Sequence, residues 1–175
     1  NLENDHRYGV FEIGMSKPGE IKKLSNLVKP DIGIITNVGE AHIENFYNLS
    51  GIAKAKSEII QNIKNNGYLI LNKDDRYFNY FVKIAKTRKI RVLSFGIIKK
   101  SDACLVSNKT YKNYNLLHLK IFNKSIFLKT KNINSINILN LLSSLLVLSI
   151  LNLDLSKTEN LTSFLSSMEG RGKVH

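Results

Sequence analysis

Apolar residues recur along this chain in two alternating periods, and that alternation narrows the possible folds more than any other feature. Residues 8–13 (YGVFEI) read as a strand, and residues 18–28 as a helix with Ile21, Leu24 and Val28 on one stripe. Residues 31–36 (DIGIIT) are an apolar, β-branched run of the kind buried on both faces of a sheet. A helix is predicted over 51–63, a strand over 68–71, a helix around 76–85 and a strand over 90–95. Strands alternating with helices predict an α/β fold, a mostly parallel sheet flanked by helices. Between residues 103 and 128 the pattern changes to short strands, which predicts a small antiparallel appendage. Two helices, 135–151 and 156–167, are expected to close the chain.

In open parallel sheets, ligands gather outside the carboxyl ends of the strands. That rule selects Glu12 near the end of the first expected strand, residues 37–42 after the second, and Asn72, Lys73, Asp74 and Asp75 after the third. Lys56 is the most informative single residue. On a helical projection of residues 51–63 it falls inside the apolar arc of Ile52, Ile59, Ile60 and Ile63, whereas Lys54 and Glu58 face away. An unpaired ammonium there is costly, so it must snorkel to water, meet an anion, lose its proton or be modified. His42 lies between Glu40 and Glu44 in NVGEAHIENF, which suits either a surface loop or a site for Mg2+, Mn2+ or Zn2+. Glu12 interrupts an apolar strand and pairs with a cation or metal unless it faces solvent at the strand end. No phosphate loop is present: GRGK at 170–173 is followed by Val174 and has no strand before it.

Charge raises a rival reading. The 26 Lys and Arg exceed the 14 Asp and Glu, for a net charge of +12, which invites a basic nucleic-acid-binding module without catalysis. The positive residues are spread along the chain with no RNA-recognition or zinc-finger spacing, and a Lys- and Asn-rich surface explains them without nucleic acid. The single cysteine, Cys104, excludes an intrachain disulfide framework. Residues 138–151 are the longest apolar run, too short and too interrupted by Asn140, Ser143, Ser144 and Ser149 to span a bilayer.

The segment FEIGMSKPGEIKKLSNLVKPDIGIITNVGEAHIENF, followed by IAKAKSEI, resembles the central domain of Mur ligases. Its E-I-G-M-x-x-x-G-E-I stretch and N-x-G-x-A-H-I-E loop are most similar to the type that adds D-alanyl-D-alanine to a UDP-MurNAc-tripeptide. Other Mur-type ligases and folylpolyglutamate synthase are the alternatives within that superfamily. The resemblance implies that residues 1–169 belong to a central ATP-binding domain without its phosphate-loop part, and that 170–175 open the hinge to a C-terminal domain.

The resemblance also implies roles. Glu12 matches a glutamate that helps hold Mg2+ on the ATP phosphates, and His42 a histidine ligand of a second Mg2+. Lys56 matches a lysine carbamylated by CO2, whose new carboxylate serves that second metal, an outcome that accounts for a badly placed cation. Asn72, Asp74 and Asp75 match a turn given only a structural role. INSINIL resembles a helix start near the adenine, so Asn134 and Asn137 are expected on one helix face, although Ile133 and Lys131 depart from the pattern. Arg171 in EGRG matches an arginine that reaches the ATP phosphates. The implied reaction is ATP-dependent amide ligation through an acyl phosphate, in a monomeric cytoplasmic bacterial enzyme of peptidoglycan synthesis. Its implied partners are small molecules, UDP-MurNAc-tripeptide and D-Ala-D-Ala, with no nucleic acid and no membrane span. The 175 residues by themselves are expected to be an inactive fragment.

Overall fold

In the computed structural model of the chain, the described residues are 5–40, 45–131 and 133–155. Along the chain run α1 (Glu20–Val28), β1 (Ile32–Ile35), α2 (Leu49–Ser57) with a tight 3-10 turn after it (Glu58–Gln61), β2 (Tyr68–Asn72), α3 (Phe78–Lys86) and β3 (Arg91–Gly96). Three longer strands follow, β4 (Ala103–Thr110), β5 (Asn115–Ile121) and β6 (Lys124–Thr130), and then α4 (Ser135–Ile150). The strands form one six-stranded sheet in the order β1-β2-β3-β4-β5-β6. β1 to β4 are parallel, and β4, β5 and β6 are antiparallel neighbours. The expected α/β fold is therefore present.

Period-two burial explains how the helices cover the sheet. On β2, Leu69 and Leu71 face one side and pack with Ala53, Ile60, Ile63, Phe81 and Ala85, which come from α2, its following turn and α3. Ile70 faces the other side with Phe95, Leu117, Leu128, Leu142 and Leu145, under α4. Both faces of the middle strands are covered, as a parallel sheet requires.

Two expectations need correction. Residues 8–13 form no strand; they run irregularly with Val10 97% exposed, and Glu12 is exposed with them. A strand needs a hydrogen-bonded neighbour, and among the described residues β1 pairs only with β2. Second, DIGIIT is not buried on both faces: among the described residues β1 is an edge strand, and Ile34 is 38% exposed. The expected antiparallel appendage is present as β4 to β6, joined to the parallel strands in one sheet. β3 and β4 pair in parallel through Phe95 with Ala103 and Gly96 with Cys104, so β4 begins where β3 ends. The β4–β6 ribbon consequently projects beyond the carboxyl ends of β1 to β3 by roughly 20 Å, at about 3.3 Å per residue. The predicted helix at 156–167 lies outside the described residues. Among the described residues no helix is long and apolar enough to cross a membrane.

Candidate functional site

The carboxyl ends of β1, β2 and β3 are laced together by the acidic pair that follows β2. Asp74 accepts backbone N–H bonds from Ile97 at 2.6 Å, Ile98 at 3.1 Å and Lys99 at 2.9 Å, which fixes the segment after β3. Asp75 accepts from Val38 at 2.7 Å with one oxygen and from Tyr77 at 2.7 Å with the other. It thereby joins the loop after β1 to the start of α3. Asn72 turns back to accept from the Asp74 N–H at 2.9 Å, so its buried side chain shapes the turn. These bonds agree with the structural role expected of the three residues and add a specific partner for each carboxylate.

Lys56 stands in the last turn of α2, half-buried, while Lys54 is exposed. The helix starts where it does because Asn48 caps it, accepting from the Gly51 N–H at 3.0 Å. Ile52, Ala53 and Ala55 bury the same helix against the sheet and against Phe46. Burial pushes the Lys56 ammonium below its ordinary value, because water is lost around the charge, and the negative charge of Asp75 pulls the other way. A more readily deprotonated amine is a better nucleophile, since only the neutral form carries a free electron pair.

Glu58 departs from expectation. The helical projection turned it away from the core, but α2 tightens after Ser57 and Glu58 reaches α1. Its oxygens accept from the Gly19 N–H at 2.8 Å and the Lys22 N–H at 3.0 Å. α1 has no side-chain cap of its own, because its N-cap is Gly19 at φ 89°, a left-handed conformation that glycine adopts at little cost. Glu20 organises the preceding turn by accepting from Ser16 at 2.6 Å and Lys17 at 3.1 Å, and those two N–H groups hold its carboxyl below the ordinary value. A helix beginning Pro-Gly-Glu with no Ser, Thr, Asp or Asn to cap it signals in the sequence that its first amides need an acceptor from elsewhere, without marking Glu58 as the one.

Other selected residues distribute unevenly. Asn134 is not on a helix face; it is the N-cap of α4, and its side-chain oxygen accepts from the Asn137 N–H at 2.8 Å. Because β6 runs parallel to β4 and ends beyond the carboxyl end of β3, this cap stands on the carboxyl side of the sheet, the side on which Asp75 follows β2. Glu12 lies in the irregular exposed segment before α1. His42 and Arg171 lie outside the described residues. Among the described residues no three His, Cys, Asp or Glu side chains gather as a metal site. A cleft of about 750 Å3 lies between the β5–β6 turn and the end of α4 and holds none of the selected residues. A smaller one of about 210 Å3 is lined by Pro18, Tyr47, Lys54 and Glu58 among others, on the flank where α1 meets α2.

The chain's likeness to known proteins is extensive. The family model of the Mur ligase middle domain matches residues 1–148. The UDP-N-acetylmuramoyl-tripeptide–D-alanyl-D-alanine ligase of Rickettsia prowazekii is 34% identical over 175 residues, 99% of this chain and 39% of that protein. The crystal structure of MurF from Acinetobacter baumannii gives a TM-score of 0.87 at 26% identity, covering 97% of this chain and 37% of that one. MurF from Thermotoga maritima, crystallised in complex with ADP, gives 0.71 at 27% identity over 79% of this chain and 32% of that one. The chain thus spans well under half the length of each of these relatives.

Proposed function

The chain belongs to the Mur ligase middle-domain family, and from that premise we propose that it is the central ATP-binding part of a D-alanyl-D-alanine-adding ligase. Residues 1–169 are this part and 170–175 lead toward a C-terminal domain, in a cytoplasmic enzyme that acts as a monomer on small molecules. The reaction joins D-Ala-D-Ala to a UDP-MurNAc-tripeptide: the tripeptide carboxylate takes the γ-phosphoryl group of ATP, and the dipeptide amine then displaces phosphate from the acyl phosphate. The observation that carries this reading is Lys56, a half-buried amine whose proton is weakened by burial and which lies within electrostatic reach of Asp75.

The chemistry of that amine fits the role. Neutral Nζ attacks the carbon of CO2, a C–N bond forms, the displaced proton passes to water, and a carboxylate replaces the ammonium. Oxygen donors of this kind suit Mg2+: the Lys56 carbamate and His42 would hold a second Mg2+, and Glu12 would help hold the Mg2+ on the ATP phosphates. When bound, the metal supplies positive charge to the phosphate oxygens. The protein's own part is placement: α2 holds Lys56 against the core, Asp74 and Asp75 set the loops beside it, and Asn134 with Asn137 presents amide groups to a purine edge. Arg171 reaches the phosphates.

The test uses the full-length enzyme with 13C-labelled bicarbonate. A carbamate carbon signal is expected that disappears in Lys56→Ala, together with loss of phosphate release dependent on both tripeptide and dipeptide. Full ligation by Lys56→Ala, or phosphate release indifferent to D-Ala-D-Ala, overturns the reading.

A further inference from the structure

The carboxylate of Asp75 does two separable things. Its Oδ1 accepts from the Tyr77 N–H at 2.7 Å and closes the turn that opens α3, a local bond typical of aspartate in such turns. Its Oδ2 accepts from the Val38 N–H at 2.7 Å, and this bond crosses to the loop after β1, 37 residues away in sequence. Closing the α3 turn does not require the second bond.

Val38 shows what the second bond is for. Its side chain packs against the cluster of Phe46, Ile52 and Ala55 and against the cluster that holds Ile35 and Ala53, and both clusters include residues of α2, the helix that carries Lys56. The backbone of Val38 is tied to Asp75 while its side chain enters the packing that α2 helps to form. The charge of the same carboxylate also reaches Lys56. Three elements that share no continuous stretch of chain, the loop after β1, the turn after β2 and the end of α2, therefore meet at one side chain.

We propose that Asp75 is a positioning residue of the ligation site, which through the Val38 N–H holds the loop after β1 against the helix bearing Lys56. This rests on the ligase reading above and adds to it a residue whose expected role went no further than the turn. Asp75 acts through other groups and takes no part in bond making.

Asp75→Asn separates its two functions. An asparagine keeps one carbonyl oxygen, enough to close the turn at Tyr77, but offers an NH2 group where Val38 needs an acceptor. In the full-length enzyme kcat is expected to fall about 10-fold to 100-fold, the usual effect of losing a group that orients a site residue. KM for tripeptide and dipeptide should stay within about twofold of the unsubstituted enzyme. Amide hydrogen exchange should accelerate at Val38 and remain slow at Tyr77, a readout that does not depend on turnover. Unchanged exchange at Val38 overturns the proposed tie, and faster exchange with unchanged kcat overturns the positioning role. Where the unsubstituted enzyme shows no ligation, the ligase reading itself falls and takes the positioning role with it. Asp75→Ala, which loses both bonds, should unfold at lower temperature than Asp75→Asn; equal melting of the two overturns the division of labour.

Discussion

Glu58→Ala removes the two bonds that hold the start of α1 onto the end of α2. Both acceptor distances, 2.8 Å to Gly19 N–H and 3.0 Å to Lys22 N–H, are those of well-formed bonds to a charged oxygen. These amides stand at the N-cap and N3 positions of α1, two of the groups that no intrahelical carbonyl can satisfy. Such bonds contribute about 1.5–3 kcal/mol each when water cannot replace the lost acceptor. Here water can in part, because the Lys22 bond is exposed and only the Gly19 bond is partly buried. A figure near that of a lost helix cap, about 1 kcal/mol for each amide, is more apt, giving about 2 kcal/mol in all.

For a chain of 175 residues, about 2 kcal/mol lowers the melting temperature by roughly 4–8 °C. Urea unfolding followed by circular dichroism should show a lower midpoint with an unchanged slope, since the buried area is unchanged. Glu58→Gln keeps one acceptor oxygen and loses the charge that favours a helix N-terminus, so it should cost about half as much. If Glu58→Ala lies within about 0.5 kcal/mol of the unsubstituted chain, the capping account is wrong. Glu58→Gln as damaging as Glu58→Ala would equally refute the division into bond and charge.

Gly51→Ala should be the more severe change at the other end of α2, because a Cβ there runs into the carbonyl oxygen of Phe46, a backbone atom that cannot swing aside. A loss of about 3 kcal/mol or more in urea unfolding is expected, and a loss below 1 kcal/mol would refute the close approach. Phe95→Ala empties a fully buried site beneath α4 and should cost about 3–5 kcal/mol by the same measurement. Lys56→Met tests the burial of the ammonium. Because folding lowers the Lys56 pKa below 10.5, the unfolded chain binds more protons between the folded value and 10.5, so that part of stability rises with pH across this window. The difference in unfolding free energy between Lys56→Met and the unsubstituted chain should therefore favour the variant below the window and shrink as pH climbs through it. A pH-independent difference would remove burial as the cause.

What the sequence made legible was whatever a single segment decides for itself. Lys56 announced its unusual place because Ile52, Ile59, Ile60 and Ile63 define an arc that the lysine alone violates, and the structure finds it half-buried. The middle strands were equally plain, since 68–71 and 90–95 are apolar runs that need covering on both faces. Residues 8–13 carry a comparable pattern and form no strand, for a reason no local reading can see. A strand is defined by its neighbour, and among the described residues β1 pairs only with β2.

The same limit hid the residues that hold the site together. Glu58 pairs with amides 39 and 36 residues away, and Asp75 with one 37 residues away. Backbone N–H groups are identical along the chain, so nothing in the spelling of Gly19, Lys22 or Val38 marks them as partners. A periodicity argument assigns Glu58 to the solvent side because it assumes that α2 continues with 3.6 residues per turn. The helix instead gives way to a 3-10 turn at Glu58, and the carboxylate bonds the first amides of α1. Asn134 went astray in a related way: three residues before Asn137 it reads as a face-mate, but as an N-cap it spends its oxygen on the Asn137 N–H. Lys56 could be found by its conflict with its own helix. The groups that aim it could be found only once the chain had folded and brought their amides within reach.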